Sequence, residues 1–423
     1  MTMGMLDHKK PSSPKLKKAA RAVYHRVTDG PRNKWLDMRV NWYLSRAGKR
    51  YTKGAKIKVA FLAQMPEVWD KEIDICETMM KNDRFQVDVI VIPSYDGAKK
   101  ELRKEYDNPY FFEKYPDAIK AYEHGTWFEI KEGQYDYVFY QRPYDQYLPN
   151  QYKSSEVVKL AKCCYVPYAF NGADVFSNLI ANKSFFRNMY FVFCDSDDTA
   201  KKINSQFHSN TEKQTHHIEN LGYPALIPYF SVHPSNKYTQ FLWTPRWSYD
   251  SESGHSHFLE YKDVLNAFKK NNTDVEVIFR PHPLLFDELI NKRLMERSEI
   301  NSYLKQLDQL SIKYDKGSPI FDTFQNTDVL ITDYSSIIIE FFITGRPIIY
   351  CDSDLKLNEV FQRMREGMYI AKDEGDVNYY LSELVKGKDE LANIRKTIVE
   401  EYFDKSLYSI DNIIDCIISD CKD

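Results

Sequence analysis

Two sets of five short apolar runs, none alternating cleanly between apolar and polar residues, constrain this chain more than any other feature. The first set is 57–63 (IKVAFLA), 87–92 (VDVIVI), 135–140 (YDYVFY), 164–167 (CYVP) and 190–194 (YFVFC). The second is 240–244 (QFLWT), 275–280 (VEVIFR), 310–314, 329–332 (VLIT) and 347–350 (PIIY). Continuous apolar runs of this length are what parallel strands look like when both faces of their sheet are covered. Helix-length stretches such as 69–81, 154–162 and 258–270 separate them. Strands alternating with helices in both halves predict an α/β chain of two Rossmann-like, doubly wound domains facing a cleft. The expected division is a basic helical arm over 1–55, a first domain over 56–234 and a second over 235–423. A loop near 222–235 containing Pro224, Pro228 and Pro234 is the expected hinge. In such folds ligands bind beyond the carboxyl ends of the strands, here in the cleft.

Composition narrows the class. A chain of 423 residues suits two domains of ordinary size, and 43% hydrophobic content excludes global disorder. Seven scattered cysteines show neither metal-ligand spacing nor a disulfide framework, which points to a reducing compartment. No signal-peptide core and no membrane-spanning apolar run is found. Charge is uneven. Residues 1–58 hold 16 lysines and arginines against three acids, while the whole chain carries −3. Leu16, Ala19, Ala20, Val23 and Val27 fall at helical spacing among these cations, and Trp35, Val40, Trp42 and Leu44 continue the pattern. Basic helices with interfacial aromatics suit an anionic membrane surface, each near-surface charge adding about 1 kcal/mol. The competing reading is a pair of solvated helices packed on the first domain. Nucleic acid is not expected as a partner, because no reading module follows.

Three segments carry candidate chemistry. Asp328–Tyr350 (DVLITDYSSIIIEFFITGRPIIY) reads as strand, turn, helix, glycine stop and strand. A helix opening on Ser335 and Ser336 at a strand's carboxyl end would aim hydroxyls and free N–H groups at an anion such as phosphate. A plain helix cap explains the same serines. In Arg280-Pro281-His282-Pro283, after the strand at 275–279, two prolines would hold His282 rigidly at the cleft. There it would donate to a phosphate oxygen or protonate a leaving group, and Arg280 would neutralise developing charge. In Thr244-Pro245-Arg246-Trp247, Arg246 would meet the same cleft and Trp247 would stack on a base or wall the site. His255 and His257, two residues apart without nearby ligands, do not make a metal site, and no protein-bound metal or permanent cofactor is required.

In this order, strand-TPRW, strand-RPHP and ITDYSS-helix-GRPIIY resemble the CDP-glycerol glycerophosphotransferase (teichoic acid polymerase-like) family, clearly over about 235–355 and more vaguely over 56–230. The resemblance implies a GT-B type fold. It also implies transfer of glycerol phosphate, or a related alditol phosphate, from a CDP-linked donor to a polymer or lipid-linked acceptor, with release of CMP. It assigns His282 to the donor phosphate or leaving group, Arg246, Ser335 and Ser336 to the donor, and Asp333 to positioning the turn. One departure stands out. Where the family presents a His-Gly-Thr loop, this chain has Tyr165 to Gly172 (YVPYAFNG) without a histidine. Tyr168, Asn171, Asp174 and the displaced His124 are then the candidates on the acceptor side. Two other readings remain open: a glycosyltransferase of the same fold, with Glu340 holding a ribose, and a non-catalytic scaffold of polysaccharide assembly. The expected location is cytoplasmic, peripheral at the inner face of the cell membrane.

Overall fold

The computed structural model describes residues 32–47, 54–103, 106, 109–173, 183–211, 215–233, 237–250, 254–317, 319–353 and 355–421. The basic segment before residue 32, and Asp174, lie outside them.

Two parallel sheets dominate, as the apolar runs predict. The first has seven strands in the spatial order His217–Glu219, Met189–Phe193, Lys162–Tyr165, Tyr137–Tyr140, Ile57–Ala63, Phe85–Val91 and Ile119–Lys120. The second has six: Lys313–Tyr314, Glu276–Phe279, Gln240–Thr244, Val329–Thr332, Ile348–Cys351 and Tyr369–Ala371. In chain order the second reads 3-2-1-4-5-6, the doubly wound arrangement whose crevice opens where the order reverses. That reversal lies between Gln240–Thr244 and Val329–Thr332. Their register, Thr244 opposite Thr332, brings the two following loops side by side.

Chemistry explains the starts and stops. The runs at 57–63, 240–244 and 329–332 are strands over their full expected length, because nearly every side chain is buried. Asp328 Oδ2 accepts from the amides of Thr239 and Gln240 at 2.8 and 2.9 Å, fixing the entry of both strands at the reversal. The helix Ile338–Ile343 is buried at all six positions and stops at Gly345, whose φ of 71° suits a residue without a side chain. The expected strand at 310–314 shrinks to Lys313–Tyr314, since Leu310 is the C-cap residue of the preceding helix. Instead of an open loop, the hinge contains a 3-10 helix, Pro224–Ser231, with Pro224, Ala225, Leu226 and Tyr229 buried.

Two segments depart from the expected division. Residues 32–47 form a helix that packs on the first domain through Val40 and Leu44, with Asp37 and Asn33 bonded to Arg187. This half of the arm is therefore integral to the fold. The helix Ser409–Asp420, grouped by sequence with the second domain, crosses back and buries Ile413, Ile414 and Ile417 in the first core. Asp420 anchors it by accepting from Tyr137, Tyr190 and Lys162.

Candidate active site at the domain cleft

The loops at the reversal of the second sheet face the first domain across a cavity of about 340 Å3. Arg246, Arg280, His282, Ser335, Ser336 and Glu340 line it from the second domain. Glu67, Asp70, Lys71 and Tyr168 line it from the first.

Asp333 organises the second-domain wall of the cavity. It is almost wholly buried, and its Oδ2 accepts the Arg246 amide at 2.7 Å. Its Oδ1 meets His257 Nδ1 at 2.6 Å, and the His257 amide also donates to it at 3.3 Å. One carboxylate thus locks the loop after Thr244 to the turn after Thr332. The hydroxyls of Thr244 and Thr332 add a bond of 2.8 Å between the same strand ends. Burial alone would lower the His257 pKa, but the hydrogen bond and charge of Asp333 outweigh it and raise it. Arg246 gives one guanidinium nitrogen to the Tyr334 carbonyl at 2.8 Å, while its Nε is buried without a partner. Neither serine hydroxyl caps the following helix, whose N-cap is Ile337. That helix has only six residues, so its dipole is weak, and the hydroxyls rather than the dipole are the polar groups offered to the cleft.

His282 is held by its neighbours, as the flanking prolines suggest. Its amide donates to the Pro245 carbonyl at 3.1 Å, and its Nδ1 accepts from the Leu284 amide at 3.2 Å. An accepting Nδ1 leaves the proton of the neutral ring on Nε2. Desolvation by the cleft walls and the nearby Arg246 charge push its pKa down to about 4. The residue as a whole remains exposed to solvent, so the direction matters more than its size: near pH 7 the ring is a neutral N–H donor. Arg280 is paired with buried Asp315 at 2.7 Å and also reaches Thr323, so much of its charge is already balanced. Trp247 does not line the cavity, and its ring lies 6.1 Å from that of His282.

The first-domain wall differs more from expectation. His124 occupies the turn of a two-stranded hairpin, Tyr122–Glu123 with Thr126–Trp127, in a left-handed conformation and away from the cavity lining. Asn171 is buried at the domain junction. Its amide donates to Asp195, and its carbonyl accepts from Asn358 of the second domain at 2.6 Å. Next to it, a Cβ on Gly172 would lie 2.5 Å from the Phe361 ring. The segment that carries no histidine is therefore a docking contact between the domains. Tyr168 does line the cavity, its hydroxyl 2.9 Å from that of Tyr144.

Sequence reasoning missed Lys71, Asp70 and Glu67. Their signal was positional: they follow the strand Ile57–Ala63 at the reversal of the first sheet, the place equivalent to Arg246 in the second. Lys71 Nζ lies 2.6 Å from Glu340 Oε1, so the glutamate considered as a ribose ligand is engaged by a cation of the opposite domain.

Residues 232–394 match the family described as CDP-Glycerol:Poly(glycerophosphate) glycerophosphotransferase. No curated protein matches the chain. Among solved structures, the wall teichoic acid polymerase TagF is similar at 15% identity over 96% of this chain and 97% of that one, with a TM-score of 0.54. UDP-GlcNAc 2-epimerase from Neisseria meningitidis, bound to UDP-GlcNAc, is similar at 9% identity over 86% of this chain and 100% of that one, with the same TM-score. The corresponding epimerase from Methanocaldococcus jannaschii has 13% identity, the same coverage and a TM-score of 0.52. At these identities the likeness is one of fold, GT-B-like in both domains.

Proposed function

From the family match of the donor-side segment, we propose that this protein transfers glycerol phosphate, or a related alditol phosphate, from a CDP-linked donor to a hydroxyl of a cell-envelope polymer or lipid-linked acceptor. The observation that carries this reading is the convergence of Arg246, His282, Ser335 and Ser336, all within the matched segment, on one cavity at the reversal of the second sheet. In this reading the acceptor oxygen forms a bond to the donor's β-phosphorus, and the bond from that phosphorus to the CMP oxygen breaks. There is little covalent work for the protein, so catalysis is positioning and charge stabilisation. Arg246 and the two serines hold phosphate oxygens, and His282 donates from Nε2 to the departing phosphate. Asp333 acts through Arg246 as a positioning residue. Tyr168, Asp70 and Glu67 form the wall that the acceptor meets. Incubating the protein with CDP-glycerol and a glycerophosphate-primed acceptor should release CMP, and a His282→Ala variant should release it at least a hundredfold more slowly. Release of a nucleoside diphosphate from a sugar donor, with CDP-glycerol left intact, would overturn the assignment.

The arm supports a peripheral location. On the helix over 32–47, Trp35, Met38 and Trp42 are exposed on the side opposite Val40 and Leu44, with Arg39 over Trp35 and Arg46 over Trp42. An exposed stripe of aromatics and cations fits an anionic bilayer surface. No helix among the described residues is long and apolar enough to cross a membrane. Phosphatidylserine vesicles should retain the wild-type chain and release a Trp35→Ala/Trp42→Ala variant; equal retention would remove the membrane from the proposal.

A further inference from the structure

The cavity contains an ion pair that its motif residues leave unexplained. Lys71 ends the 3-10 turn Pro66–Lys71 of the first domain and is itself buried. Its Nζ lies 2.6 Å from Glu340 of the second domain and 2.7 Å from its neighbour Asp70. Glu340 lies in the helix Ile338–Ile343, four residues after Ser336 of the preceding turn. Lys71, Asp70, Glu340, Ser335 and Ser336 all border the same space.

Two features argue against a mere strut. A buried ion pair contributes little net stability compared with apolar packing of the same shape. This one also borders the cavity in which a diphosphate would have to sit. With Arg280 already paired to Asp315, Arg246 and Lys71 face Glu67, Asp70 and Glu340 around the cavity. A donor bringing two phosphate charges therefore needs one of these carboxylates to give up its cation. Glu340 is the one placed to do so, since Lys71 would keep Asp70 as partner after moving. Burial also raises the Glu340 pKa, which eases the loss of its cation.

We propose that Lys71 is a donor-phosphate ligand contributed by the first domain, held on Glu340 while the cleft is empty and transferred to the donor's β-phosphate on binding. The inference rests on the donor reading above. It ties the acceptor-side domain to the presence of donor, because the same side chain that leaves Glu340 anchors the first domain over the reacting phosphorus.

Calorimetric binding of CDP and CMP to the full chain tests this, since only CDP carries the β-phosphate. Glu340→Gln frees Lys71 without an empty space and should tighten CDP about threefold or more, with CMP unchanged. Adding Lys71→Met to Glu340→Gln leaves no buried carboxylate orphaned, because Asp70 is half exposed to water, so folding is retained, and should weaken CDP about tenfold or more while CMP again holds. An equal CDP-to-CMP affinity ratio in these two variants would overturn the proposal, as would weaker CDP binding by Glu340→Gln alone. If the wild type binds UDP and ignores CDP, the cytidine assignment fails, and the Lys71 test is then read on UDP against UMP with the same expectations.

Discussion

Replacing Asp333 with asparagine tests the architecture of the second-domain wall most directly, because one carboxylate fixes two loops. Its oxygens accept from Arg246 N and His257 Nδ1 at 2.7 and 2.6 Å, in a position almost closed to solvent. An amide has one accepting oxygen, so whichever N–H it serves, its own NH2 faces the other donor. One charge-assisted bond is lost, and the survivor becomes a neutral one. Bonds to charged groups contribute about 1.5–3 kcal/mol and neutral ones about 1, so the change should cost about 3 kcal/mol. For a unit of about 200 residues that lowers Tm by roughly 6–12 °C. The loss should also depend on pH. The His257 pKa is raised in the folded state, so its contribution is fully present below the unfolded value of 6.5 and disappears as pH rises through the folded value. Thermal melts of wild type and Asp333→Asn at pH 6 and pH 9 should therefore show the larger gap at pH 6. Donor affinity should fall in parallel, since the Arg246 backbone loses its anchor. A variant that melts with the wild type at both pH values, and binds CDP-glycerol as well, would refute both the locking role of Asp333 and the placement of Arg246.

Removing both hydroxyls in Ser335→Ala/Ser336→Ala should weaken CDP-glycerol binding by about 2–4 kcal/mol, roughly 30- to 1000-fold, with Tm nearly unchanged because neither hydroxyl caps the helix. A loss of stability with intact affinity would return the serines to a structural role. His282→Ala should lower kcat two or more orders of magnitude, and a variant keeping more than about a third of the wild-type rate would exclude it as the leaving-group donor. Gly172→Ala places a methyl 2.5 Å from Phe361 and should destabilise by about 1–3 kcal/mol in a thermal melt; a wild-type Tm would show that the junction yields freely.

The second domain was the more legible half, for a physical reason. Its strands are short apolar runs whose loops follow directly, so Arg246, His282 and Ser336 announce themselves by sitting two to four residues past a strand end. The cleft's other wall has no such signature. Lys71 lies in Pro-Glu-Val-Trp-Asp-Lys, which reads as the start of a solvated helix, and only the fold brings it 2.6 Å from Glu340, 269 residues away. His124-Gly125-Thr126 matched a motif in letters and failed in place, because a local hairpin turn determines its position. His257 was discounted for lacking metal partners, while its actual partner, Asp333, lies far along the chain.

The return of Ser409–Asp420 to the first core bears on synthesis as well as architecture. The last strand of the first sheet ends at Glu219, yet Ile413, Ile414, Ile417 and Asp420 emerge from the ribosome roughly 200 residues later. At about 5–20 residues per second that is a wait of roughly 10–40 s, during which Lys162, Tyr137 and Tyr190 lack their carboxylate and an apolar face of the sheet stays uncovered. The nascent first domain is thus a natural client for a holdase, and it completes itself only when the second domain has already been made.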